Sequence, residues 1–129
     1  MFFLALMFMV SQSSAAYVTT ASQVVSNGQT FFLNITIDPL GAPIAGAQMN
    51  IGFNKSLFKV NSITEGNFFN RNGASTFFNA GTINNSAGTV NNIFNAIIGT
   101  NNVFIPGTFI VVNMAATGSK GASWIKSRI

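Results

Sequence analysis

Only two side chains in these 129 residues carry a carboxylate, Asp38 and Glu65, and the chain has neither histidine nor cysteine. Glycoside hydrolysis needs two carboxylates facing each other across the scissile bond. Asp38 and Glu65 instead close different strands, Asp38 as the turn-forming residue before Pro39 and Glu65 as a solvated residue before Gly66. A Ser or Thr nucleophile lacks its usual base. Calcium takes about six to eight oxygens, typically several of them carboxylates, so a site here would rest almost wholly on amides and carbonyls. Without cysteine there are no disulfides and no thiolate metal sites. The chain is therefore read as non-enzymatic, with no catalytic residue, cofactor or metal site.

The cations carry little information about nucleic acid. Net charge is +4 and the sequence pI about 10.2, but Lys55, Lys59, Arg71, Lys120, Lys126 and Arg128 form no run among which aromatic rings could stack on bases. No nucleic-acid partner is expected. What remains is recognition through uncharged polar groups, since polarity here comes from Asn, Gln, Ser and Thr.

The elements that position such groups are strands. In Pro43-Ile44-Ala45-Gly46-Ala47-Gln48-Met49-Asn50-Ile51-Gly52-Phe53, the residues Ala47, Met49, Ile51 and Phe53 point one way and Gln48, Asn50 and Gly52 the other. Asn54-Lys55-Ser56 turns the chain, and Leu57, Phe58 and Val60 return to the core. Phe31, Leu33, Ile35 and Ile37 form another apolar face. Candidate strands span 17–25, 29–37, 44–54, 57–64, 76–79, 89–98 and 108–117, with turns at Asn27-Gly28, Asp38-Pro39-Leu40-Gly41, Asn72-Gly73, Ala87-Gly88 and Pro106-Gly107. Such spacing predicts an all-β sandwich in one domain. The 108–117 strand alternates Phe109, Val111 and Asn113 with Ile110, Val112 and Met114, so it is apolar on both faces and either lies at the centre of a sheet with cover on each side or leaves an exposed patch for a partner.

Residues 1–10 are apolar without period-2 patterning and half the roughly 20 residues of a membrane-spanning helix, so no span is expected. Followed by Ser11-Gln12-Ser13-Ser14-Ala15-Ala16, they read as a leader over 1–16 with a small-x-small site at Ser14 and Ala16, although no Lys or Arg precedes the apolar run. The expected location is extracellular or at the cell surface. Sequons at Asn34, Asn54 and Asn84 permit glycosylation, and arise readily by chance in so asparagine-rich a chain.

The order Ile44-Ala45-Gly46-Ala47, alternating strand, Phe53-Asn54-Lys55 turn and Leu57-Phe58-Lys59-Val60, continued by Asn61-Ser62-Ile63-Thr64-Glu65-Gly66-Asn67-Phe68-Phe69, resembles the cohesin domain. That domain is the receptor module of cellulosome scaffolding proteins, and the likeness is to its archaeal-type members. Gly28-Gln29-Thr30-Phe31, Gly73-Ala74-Ser75-Thr76-Phe77-Phe78-Asn79 and Gly107-Thr108-Phe109 support it. The resemblance implies a nine-stranded jelly-roll β-sandwich. It also implies that one sheet face, built partly by the third, fifth and sixth strands, receives a dockerin, a small helical module that holds calcium on its own side.

On this sequence the implied partner-binding residues are Gln48 and Asn50 on the third strand and Asn92, Phe94 and Ala96 on the sixth, the alternate set on the sixth being Ile93, Asn95 and Ile97. The likeness runs over 17–121. Residues 122–129 read as a divergent tail, which leaves the last two strands missing or divergent and the domain marginal when expressed alone. Two other functions remain open. A carbohydrate-binding module of similar fold would take polysaccharide on aromatic platforms, for which Trp124 and Tyr17 are the planar polar-tipped rings present. A structural surface-layer or adhesin module would need no site at all.

Overall fold

The computed structural model describes residues 2–9, 17–19, 23–25, 28–117 and 121–128, with side chains over 28–117. The Ser14 and Ala16 cleavage site lies outside the described residues, as do the side chains of Tyr17 and Trp124.

Period-2 patterning becomes strands wherever turn chemistry bounds it. The strands are β1 (Phe2–Met9), β2 (Tyr17–Thr19), β3 (Gln23–Val25), β4 (Thr30–Asp38), β5 (Gly46–Phe53), β6 (Phe58–Glu65), β7 (Thr76–Asn79), β8 (Thr82–Asn84), β9 (Thr89–Ile97), β10 (Gly107–Ala116) and β11 (Gly121–Arg128), with one 3-10 turn at Arg71–Gly73. They form a two-sheet β-sandwich. One sheet runs β3-β1-β11-β5-β9-β7, with β8 also on β9; the other runs β2-β4-β10-β6.

The core lies between the sheets and is built by the expected faces. Phe31, Leu33, Ile35 and Ile37 of β4 and Met49, Ile51 and Phe53 of β5 are buried, with Phe58, Val60, Val90, Ile93, Val112 and Met114. β10 is central, between β4 and β6. A register shift after Thr108 buries both Phe109 and Ile110, and beyond it Val112, Met114 and Ala116 point inward while Val111, Asn113 and Ala115 stay half-exposed.

The turns follow their residue types. Asp38 Oδ1 accepts the Leu40 N–H (2.9 Å) and Asn54 Oδ1 accepts the Ser56 N–H (2.9 Å), each an Asx turn. Glu65-Gly66-Asn67-Phe68-Phe69 also has a physical basis. A Cβ on Gly66 would run into the Thr108 carbonyl oxygen, so only glycine lets β10 approach this closely. Asn67 Oδ1 then accepts the Thr108 N–H (3.0 Å), and Phe68 and Phe69 plug the end of the core, Phe69 lying 6.3 Å edge-on from Phe109.

Three segments differ from the sequence expectation. Residues 17–25, read as one strand, divide into β2 in the smaller sheet and β3 in the larger. The three-residue β8 is too short to show a period. Residues 122–128, read as a tail where the last strands are missing or divergent, are correctly a strand: β11 pairs with β5 from Ile125↔Phe53 to Arg128↔Asn50. Backbone groups on the side of β5 away from β9 need a partner whatever its side-chain pattern, and β11 supplies them. In the full chain Phe2–Met9, the apolar run of the expected leader, runs parallel to β11 along all eight of its residues and antiparallel to β3.

Candidate functional site

β5 pairs antiparallel with β9, and β9 with β7, so residues opposite one another share a face. On the outward face Gln48 lies opposite Phe94, and Phe94 opposite Asn79. The next row is Gly46, Ala96 and Phe77. Gln48 and Asn50 are exposed, Phe94 and Ala96 half-buried. The alternates Ile93 and Asn95 are buried, and Ile97 packs against the core.

A bulge explains why β9 shows this set. Register shifts between Met49↔Ile93 and Ile51↔Val90, so Asn50 faces two residues, Asn91 and Asn92. Asn92 takes φ 63°, a left-handed conformation that asparagine tolerates better than most residues. Both amides are exposed, and Val90 returns to the core. Asn50 Oδ1 accepts the Asn92 backbone N–H (2.7 Å), and Gln48 Nε2 donates to Asn92 Oδ1 (3.4 Å). All five residues anticipated from sequence, Gln48, Asn50, Asn92, Phe94 and Ala96, thus lie together on one face. Asn50 also holds the bulge in place.

Two further residues complete the patch, Phe77 and Asn79. Phe77 is 59% exposed and meets Phe94 edge-on, centroids 6.0 Å apart at 64°. In Phe77-Phe78 the two residue types are identical, so alternation could not say which ring faces out. No described side chain on this face carries a charge, and among the described residues no three acidic groups gather as a metal site would require. An amide row beside the exposed Phe77 and the half-buried Phe94 on one sheet face can hydrogen-bond and pack against another macromolecule.

Glu65 is not the solvated carboxylate its place before Gly66 implied. Its Oε2 accepts from Thr76 Oγ1 (2.6 Å) and Asn95 Nδ2 (2.9 Å), and Asn95 is 1% exposed. The burial of Asn95 between the sheets draws the carboxylate in.

This two-sheet sandwich with an exposed amide and aromatic face is of the class represented by cohesins. The family model described as "Cohesin domain" matches residues 14–128, and the chain belongs to that family. The match includes the segment that sequence reading placed beyond residue 121. Solved structures share the fold at low identity. A cohesin module from a Clostridium perfringens family 33 glycoside hydrolase is 20% identical, with TM-score 0.61 over 81% of this chain and 73% of that one. A cohesin in a type I cohesin–dockerin complex from Clostridium thermocellum is 11% identical, with TM-score 0.59 over 88% and 99%. The non-cellulosomal cohesin of the archaeon Archaeoglobus fulgidus is 8% identical, with TM-score 0.52 over 98% and 89%. Among curated proteins none matches the chain by sequence.

Proposed function

We propose that this chain is a non-catalytic recognition module that takes a dockerin-type partner on the outward face of β5, β9 and β7. The observation that carries the reading is the gathering of Gln48, Asn50, Asn92, Phe94 and Ala96, with Phe77 and Asn79, on one exposed face. Membership in the cohesin family supports it, as does likeness to a cohesin solved with its dockerin. Calcium belongs to the partner's side. The module works outside the cell or at its surface, exported by the leader at 1–16.

Asn50 needs a test that separates its two roles. Asn50→Asp keeps the acceptor for the Asn92 N–H and removes the outward amide donors, so it should weaken the partner by about 1 kcal/mol or more without lowering the melting temperature. Calorimetric titration with a purified dockerin, repeated after chelation of its calcium, reads both claims. Unchanged affinity in Asn50→Asp and Gln48→Ala would show that another face binds. Sedimentation with insoluble glucan in the absence of any dockerin affinity would replace this reading with polysaccharide binding.

A further inference from the structure

At the end of the sandwich where β9 leaves its sheet, the 3-10 turn and the 98–106 loop line a half-open cavity of about 640 Å3, within the roughly 300–1,000 Å3 of small-molecule sites. It lies off the amide face. Its lining includes Arg71, Asn72, Asn101, Asn102 and Phe104.

Arg71 is the only charged residue in that lining, and it is fixed. Nε donates to the Phe68 carbonyl (3.1 Å), Nη2 donates to the Pro106 carbonyl (3.0 Å), and Cζ sits 5.5 Å from the centre of the Phe68 ring. A guanidinium has five N–H donors, so three remain after these two bonds. Among the described residues no carboxylate pairs with it. Asp38 serves its own turn and Glu65 is held by Thr76 and Asn95. Arg71 is only partly buried, so its remaining donors are open to solvent, and an anionic group in the cavity could accept from them.

The surroundings narrow the class of anion. Asn72, Asn101 and Asn102 are exposed amides, each able to donate and accept, which suits vicinal hydroxyls. Phe104 is 55% exposed, an apolar surface for the C–H face of a sugar ring. One fixed cation matches one carboxylate better than a doubly charged phosphate.

We infer that this cavity binds a carboxylate-bearing saccharide of the uronate class, with the carboxylate on Arg71, hydroxyls on the three amides and a ring face on Phe104. The site is independent of the dockerin reading.

The test is an NMR titration of the full 129-residue chain with a uronate oligosaccharide, its neutral counterpart of the same linkage, inorganic phosphate, and a short peptide with a free C-terminal carboxylate. The expected result is that the uronate shifts the Arg71 Nε–H and the Asn72, Asn101 and Asn102 side-chain amides, binds at least tenfold tighter than the neutral sugar, and weakens with salt. Arg71→Gln should cost tenfold or more. Because Arg71 also ties two loops together, Phe104→Ala and Asn102→Ala serve as exposed variants, each weakening binding severalfold at unchanged melting temperature. Equal affinity for the neutral sugar, tighter binding of phosphate or peptide, shifts confined to other residues, or no binding overturns the inference.

Discussion

Glu65 shows how one side chain joins two sheets. It ends β6 in the smaller sheet and receives hydrogen bonds from Thr76 on β7 and Asn95 on β9, both in the larger one. Removing the acceptor would strand the buried Asn95 amide and free the half-buried Thr76 hydroxyl, at about 1–3 kcal/mol for an unsatisfied buried group. Glu65→Ala is therefore expected to lose about 2–3 kcal/mol in urea unfolding, and Glu65→Gln, which keeps one acceptor, to lose less. A change within about 0.5 kcal/mol for the alanine variant would show that the bridge adds nothing. The contrast with Asp38 is instructive. Its partner is two residues away and its turn role was legible in the local sequence, whereas Asn95 lies 30 positions from Glu65 and no local pattern connects them.

Among the elements, β6 carries the most exposed liability, since it is an edge strand paired only with β10. Asn85 covers part of that edge. In the turn between β8 and β9, its Oδ1 accepts the Val60 N–H (2.8 Å) and its Nδ2 donates to the Val60 carbonyl (3.0 Å), so one amide imitates a neighbouring strand. Asn85→Ala should lower stability by about 1–2 kcal/mol and raise concentration-dependent light scattering. Equal scattering and stability would mean that the uncovered edge is harmless. This device reads from sequence only as one more asparagine in a turn. By contrast, β4 and β5 were legible residue by residue, because each buries one face and exposes the other.

For the whole molecule, the consequential pairing is β1 with β11. Export with removal of residues 1–16 would take β1 out of the larger sheet and expose the row of β11 backbone groups that it covers. A chain beginning at Tyr17 is thus expected to melt lower than the full chain and to self-associate through that edge, as light scattering coupled to size exclusion and a thermal melt would show. A monomer with the melting temperature of the full chain would establish that β1 contributes no stability.

From sequence alone came the all-β sandwich, the inward and outward faces of β4 and β5, the turns at Asp38 and Asn54, and the absence of histidine and cysteine. All depend on residue type and spacing within a few positions, where steric preference and period-2 burial act directly. Tertiary structure decided the rest: the bulge that keeps Asn92 outward while burying Val90, which of Phe77 and Phe78 is exposed, the Glu65 bridge, the cover over Val60, and β11 as a paired strand. Each depends on which backbone or side-chain group arrives from a distant part of the chain, and hydrogen bonds across that distance leave no periodic trace in either partner.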